Sequence, residues 1–343
     1  MTNRLQPIFA VAVGLALGLV VTALAGENPL HVLAVLARGA FGTRYGLGLT
    51  LAYATPLVFT GLSVAVAFRA GLFNVGAEGQ LTMGALAAAA VGAVWPGWGA
   101  PGAWLAAGTA AVAAGMAWGA VPGVLRAWRG SHEVINTIML NFIAAGLANY
   151  VTMYVLRNPA SQNPETRPVG PGYMLAPWAW FAGAPVGWGL PLAIGVAVAV
   201  GWWLERSVTG LELRAVGENE PAARAAGINA GRVRVLAFAL AGGLAGLVAV
   251  PEVLGNTGRF RPAFSAQYGF LGIAVALLGR NRPGGILAAA LLFGALQKGA
   301  TDLDMETDHV TRELALVFQA LIILAVAAEG AWEMVFRRRA RPC

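Results

Sequence analysis

Apolar and polar positions alternate along this chain in long blocks, not with the short periods of a soluble fold. Apolar runs cover residues 8–25, 46–68, 79–95, 102–123, 133–156, 188–204, 233–250, 267–280, 284–298 and 311–328. A helix needs about 20 apolar residues to cross a bilayer. Runs near that length, one after another, predict an all-α polytopic membrane protein with about ten transmembrane helices. The runs 267–280 and 284–298 are short. They read either as short spans or as half-helices joined at Asn281-Arg282-Pro283-Gly284-Gly285. The longest polar segments are 157–187 and 205–232, so residues 1–343 read as one transmembrane domain with no soluble domain.

Composition agrees with that pattern. The 343 residues are 58% hydrophobic and 11% charged, against about 25% charged in an ordinary soluble domain. Ten spans place both termini on one side. With that side cytoplasmic, fifteen of the 23 lysines and arginines lie inside and eight outside, as the positive-inside rule requires. The net charge of +7 therefore sets topology in a lipid bilayer and points to no nucleic-acid partner. The first apolar run ends in Ala23-Leu24-Ala25, which resembles a signal-peptidase site. At the head of a many-span chain it is expected to stay as an uncleaved first span. Trp178, Trp180 and Trp188 flank the long outer loop and suit the membrane interface.

Several chemistries are excluded by residue type. Cys343 is the one cysteine, and His31, His132 and His309 are far apart, so no metal-ligand spacing exists. Asp302, Asp304, Glu306 and Asp308 lack the glycine and terminal Glu of a calcium loop, and they read first as a wet loop that meets an extracytoplasmic partner, with calcium as the lesser reading. Lys298 is the sole lysine and Gly299 follows it, so no phosphate-binding loop is present. If ATP drives the protein, another chain hydrolyses it. No nucleophile–base–orienter set is visible, no cofactor is called for, and the chain is not read as an enzyme.

Three polar segments interrupt the apolar blocks. Gly71 to Gln80 sets Phe73, Asn74, Glu78 and Gln80 among glycines between two apolar runs. Polar groups at membrane depth are costly and persist along water-filled or solute paths, and glycine lets the backbone leave the helix there. The segment reads as a break at a transport pathway or as a cytoplasmic turn. Next, Asn136, Asn141 and Asn149 lie in the run 133–156. Interhelical hydrogen bonding suits Asn141 and Asn149, while Asn136 keeps a pathway role open. Third, in loop 205–232, Asn219 or Glu220 can cap a helix, Pro221 fits its first turn and Gly227 can close it. This predicts a helix of about two turns on the cytoplasmic face, with small residues that fit a partner's groove, or else a solvated loop.

Read together, GLFNVGAEGQ (71–80), EVINTIMLN (133–141) and LRAVGENEPAARAAGI (213–228) resemble the inner-membrane permeases of the branched-chain amino acid and simple-sugar class of ABC importers. The similarity is to their nucleoside (simple-sugar-annotated) branch and runs from about residue 45 to 330. It implies an ATP-driven importer in a bacterial cytoplasmic membrane, with four kinds of component. An extracytoplasmic substrate-binding lipoprotein delivers solute. A second homologous permease subunit pairs with this one as a heterodimer. A cytoplasmic ABC ATPase docks on a coupling helix, and the solutes are nucleosides, purine ones above all. The resemblance places coupling on Asn219, Glu220, Pro221, Ala222, Ala223, Arg224 and Gly227, and the pathway on Asn74, Glu78 and Gln80; Phe73, a flat apolar surface for a purine, and Asn136 complete the pathway candidates. A simple sugar or a branched-chain amino acid is the alternative solute. A proton-coupled secondary transporter using Glu78 or Glu133 is the alternative of another class.

Overall fold

A computed structural model describes residues 6–265 and 267–328. Arg4, Arg337, Arg338, Arg339, Arg341 and Cys343, which entered the topology and thiol arguments, lie outside the described residues. The elements are α1 (Gln6–Leu24), α2 (Pro29–Phe41), α3 (Arg44–Arg69), α4 (Ala77–Val94), α5 (Gly102–Arg129), α6 (Glu133–Tyr150), α7 (Gly189–Arg206), α8 (Val208–Glu218), α9 (Glu220–Ala225), α10 (Ala230–Gly246), α11 (Tyr268–Leu278), α12 (Pro283–Thr301), α13 (Leu303–Glu306) and α14 (Leu314–Ala327). π-Helical turns extend α6 over Val151–Val155 and follow α10 over Val250–Thr257. No strand occurs among the described residues; Arg157 and Thr166 form an isolated bridge.

A helix occupies each of the ten predicted runs. Six are long and apolar enough to cross a membrane, and a seventh counts if α7 and α8, bent by 74°, are taken as one span. The apolar helices α1, α2, α11 and α14 are shorter, so length and composition alone do not establish ten crossings. The stretch between the first two predicted runs also holds a helix, α2. Asn28 caps it by accepting from the N–H groups of Leu30 and His31, and Pro29 opens its first turn.

The chain divides into two compact units, residues 1–54 with 291–343 and residues 55–290. In the first, α1 lies against α14 because Gly14 and Gly18 leave room for Ile322 and Phe318. The acidic run 302–308 serves that unit's own contacts. Asp302 takes the Lys298 ammonium at 2.6 Å, Asp304 accepts from the Arg312 N–H at 2.7 Å, and Glu306 pairs with Arg38 at 3.3 Å. Glu27 accepts from the N–H groups of Asp308 and His309.

In the second unit, α5 buries Ala103, Ala107, Ala111, Gly115, Gly119 and Gly123, a residue every fourth position on one stripe. That stripe meets Phe238, Gly242 and Gly246 of α10. A Cβ on Gly115 would run into the Gly242 carbonyl, and one on Gly242 into the Gly115 carbonyl. Within a bilayer, helices associate through such backbone approach, since lipid is as apolar as a leucine. α4 joins the seam where Gly84 lies against Gly246 and the Ala111 carbonyl.

Loop 156–187 is tied to 257–261 in the same unit. Glu165 is buried and takes Arg259 at 2.5 Å and Arg261 at 2.9 Å. Burial alone raises its pKa. Hydrogen bonds from Arg259, Arg261, Asn158 and Ser161 outweigh that and hold the carboxyl at about 2.

Candidate solute pathway and coupling segment

The turn between α3 and α4 is built by its own polar side chains. The Asn74 amide donates to the Gln80 Oε1 at 2.9 Å, and the Gln80 amide donates back to the Asn74 Oδ1 at 3.2 Å. Asn74 Oδ1 also accepts from the Gly76 N–H. Both side chains are 1% exposed. They satisfy each other, as buried amides must, and they shape the turn from inside. Asn141 of α6 clamps the same turn, accepting from the Gly79 N–H at 2.8 Å and donating to the Val75 carbonyl at 2.9 Å. Its expected interhelical role is thus observed. Asn136 lies apart from this network and donates to the Ser131 hydroxyl at 2.6 Å. Phe73 is half-buried and meets Phe68 edge-on, with ring centroids 5.1 Å apart.

Glu78 differs from Asn74 and Gln80. It is half-buried at the start of α4, and its Oε2 accepts from the Gly269 N–H at 2.8 Å. The Ser265 hydroxyl also bonds it, while Ser265 Oγ accepts from the Tyr268 N–H at 3.0 Å. Together they cap α11, whose first N–H groups have no partner within the helix. Gly269 permits this approach, since a Cβ there would run into the Glu78 backbone. The Tyr268 hydroxyl continues the chain to Glu252, donating to Oε1 at 3.1 Å. Glu252 lies on the π-helical turn after α10, and the sequence reading did not single it out. Its signal was present, as a lone carboxylate within the apolar stretch Leu247 to Leu254.

The candidate coupling segment adopts the predicted punctuation over a shorter length. Asn219 caps α9 by accepting from the Ala222 N–H at 3.0 Å, Pro221 lies in the first turn, and Gly227 takes φ +84° beyond the end. α9 spans six residues, less than the two turns expected, and the preceding stretch forms α8. Glu220 binds Arg224 at 2.6 Å and also Arg234 of α10. Pro221, Ala222, Arg224 and Ala225 are exposed, whereas Ala223 is 4% exposed in a core with Leu213, Val216, Ala230 and Val233. Ala223 therefore faces its own chain, and the surface open to a partner is the other side of α9.

The two motifs touch. Gly71, at φ +69°, faces Gly217 at the end of α8, and a Cβ on Gly217 would run into the Arg69 carbonyl. Leu72 shares the core that holds Val216 and Ala223. An apolar groove of about 740 Å³ lies between Trp104, Met116, Trp188 and Leu247, with no charged lining. Its surface suits lipid chains more than a polar solute.

Residues 46–327 match the family described as branched-chain amino acid transport system / permease component. The guanosine ABC transporter permease protein NupP of Bacillus subtilis (strain 168) is 36% identical over 98% of this chain and 96% of its own length. The nucleoside ABC transporter permease protein NupB of Lactococcus lactis subsp. cremoris (strain MG1363) is 34% identical over 95% and 91%. The glucose ABC transporter permease protein TsgB13 of Haloferax volcanii is 33% identical over 93% and 85%. With a family match across most of its length and relatives of this similarity, the chain belongs to the branched-chain amino acid transport system permease family.

Proposed function

We propose that this chain is the membrane-spanning permease subunit of an ATP-driven importer of nucleosides, purine nucleosides above all. The observation that carries the coupling is the contact between Gly71 and Gly217, which joins the pathway turn to the segment bearing α9. A cytoplasmic ATPase docks on the exposed side of α9, at Pro221, Ala222, Arg224 and Ala225. Its movement passes through α8 to the turn 71–80, and from Glu78 to the N-terminus of α11. Glu78 and Phe73 border the pathway, Asn74 and Gln80 fix the turn that carries them, and Asn136 lies at its cytoplasmic margin. Ten membrane-inserted segments, α1, α3 to α7, α10 to α12 and α14, keep both termini in the cytoplasm of a bacterial inner membrane. α11 is a half-helix, since eleven residues reach only about 16 Å. A second, homologous permease closes the pathway, and a substrate-binding lipoprotein feeds it from outside. ATP binding and hydrolysis shift the balance between inward- and outward-open states.

The solute class follows the guanosine and nucleoside permeases among the relatives. The glucose permease supports a simple sugar as second reading. The test is labelled-adenosine uptake in the native host, with and without the gene, competed by guanosine, uridine, ribose and leucine. Loss of uptake on deletion, with competition by nucleosides alone, is the expected result. Unchanged uptake rejects adenosine as the solute and moves the assignment to the sugar.

A further inference from the structure

Glu252 is a carboxyl group on an apolar, span-length element, and among the described residues no cation pairs with it; the groups that bond it are Tyr268 and Asn256. Structural carboxylates elsewhere in this protein are matched differently: Glu165 by two arginines, Glu220 by Arg224 and Arg234. Glu78 is matched by the N–H of Gly269 at a helix end. An intramembrane ionisable group is a functional-site candidate by default.

Its placement is specific. The turn Val250–Thr257 is π-helical, a distortion frequent at functional sites. Val250, Val253 and Leu254 of that turn share a core with Ala85, Leu86, Ala88 and Ala89. The same core takes in Val169, Tyr173 and Leu175 of loop 156–187, and the Leu254 carbonyl accepts from the Leu175 N–H at 2.8 Å, so Glu252 stands between α4, that loop and the start of α11. The side chain is half-buried, and Asn256 one turn on is exposed. A carboxylate offers about four acceptor positions. Tyr268 and Asn256 each donate to one, which orients the group and leaves acceptors free. What fits is a neutral solute with two adjacent donors.

We propose that Glu252, oriented by Tyr268, accepts the paired adjacent hydroxyls of the solute's sugar beside the N-terminus of α11 and so determines specificity within the permease. The inference rests on the importer reading above and holds for ribose of a nucleoside or for a free sugar alike. Leaving a buried acceptor without its partner hydroxyl costs roughly fivefold to a hundredfold in binding.

The test complements a deletion strain with wild type, E252Q and Y268F. Uptake of adenosine is compared with that of 2′-deoxyadenosine, and of glucose with 2-deoxyglucose. The delivery protein is the same in every strain, so a change in ratio belongs to the permease. The ratio is also independent of how much chain each variant yields. Wild type is expected to favour the intact diol, with the ratio falling about tenfold or more toward one in E252Q, and in the same direction by less in Y268F. If E252Q gives no uptake, Y268F alone decides. An unchanged ratio, with all solutes slowed equally, means that Glu252 only holds Tyr268 and overturns the proposal. Adenosine uptake absent in wild type while glucose uptake is restored rejects the nucleoside reading, and the glucose ratio still decides the role of Glu252. If wild type restores neither, both readings fall.

Discussion

Asn141 uses both ends of its amide on the backbone of a neighbouring turn. Asn141→Ala strands the Gly79 N–H and the Val75 carbonyl in a dry environment, and each buried orphan costs about 1–3 kcal/mol. The expected result is a lower melting temperature for the detergent-solubilised complex, with uptake reduced in proportion to the folded fraction. Glu78 makes a different prediction, because its bonds run to the N-terminus of α11. Glu78→Ala is expected to cut uptake severely while the chain still assembles with its partners, and Glu78→Gln, which keeps an acceptor for Gly269, should recover part of the loss. Normal uptake by Glu78→Ala would reduce the residue to a turn-former. Residue types predicted that these positions matter but not how they divide the work. Asn74 and Gln80 look as available as Glu78 in sequence, yet they bond each other across six positions, and only the folded turn shows that pairing.

At the scale of the element, α9 was legible because helix ends carry chemical signatures: Asn219, Pro221 and Gly227 each do what their side chains allow. Its orientation was not legible, since Ala222, Ala223 and Ala225 are interchangeable in sequence. Ala223 is the member turned inward. Ala223→Asp should therefore place a charge in this chain's own core and lower its yield, whereas Ala222→Asp should leave the chain stable and weaken capture of the ATPase. Pull-down of the ATPase with each variant separates the two effects. α2 and α8 escaped notice for opposite reasons. The stretch 29–41 is apolar but too short to read as a span, and 208–218 is too polar, although Asn28 and Ser207 supply the caps that start each helix.

For the molecule as a whole, the apolar blocks specified the class and nearly every helix, because the bilayer leaves the backbone few alternatives. They did not specify the distant ionic contacts. Glu165 meets arginines 94 and 96 positions away, a pairing that no local pattern encodes. That contact carries a pH dependence. A carboxyl held at about 2, below its ordinary 4.5, stabilises the fold fully above the ordinary value. The contribution fades as pH falls from about 4.5 toward 2. Melting curves across that range should show an acid loss in wild type that is smaller in Glu165→Gln, and parallel curves would contradict the assignment.

The seam between α5 and α10 constrains any account of gating. Where two backbones touch at Gly115 and Gly242, neither helix can slide or roll without collision. Even Gly242→Ala should cost about 1–3 kcal/mol, because rigid main chain, not a pliable side chain, occupies the space. The pair therefore behaves as one stiff strut. The α11 end is held differently, by a serine, a glutamate and a tyrosine hydroxyl, bonds that a polar solute can replace one for one. Motion during a transport cycle is expected there: a spectroscopic label on α11 should report it while labels across the α5–α10 seam keep a constant separation.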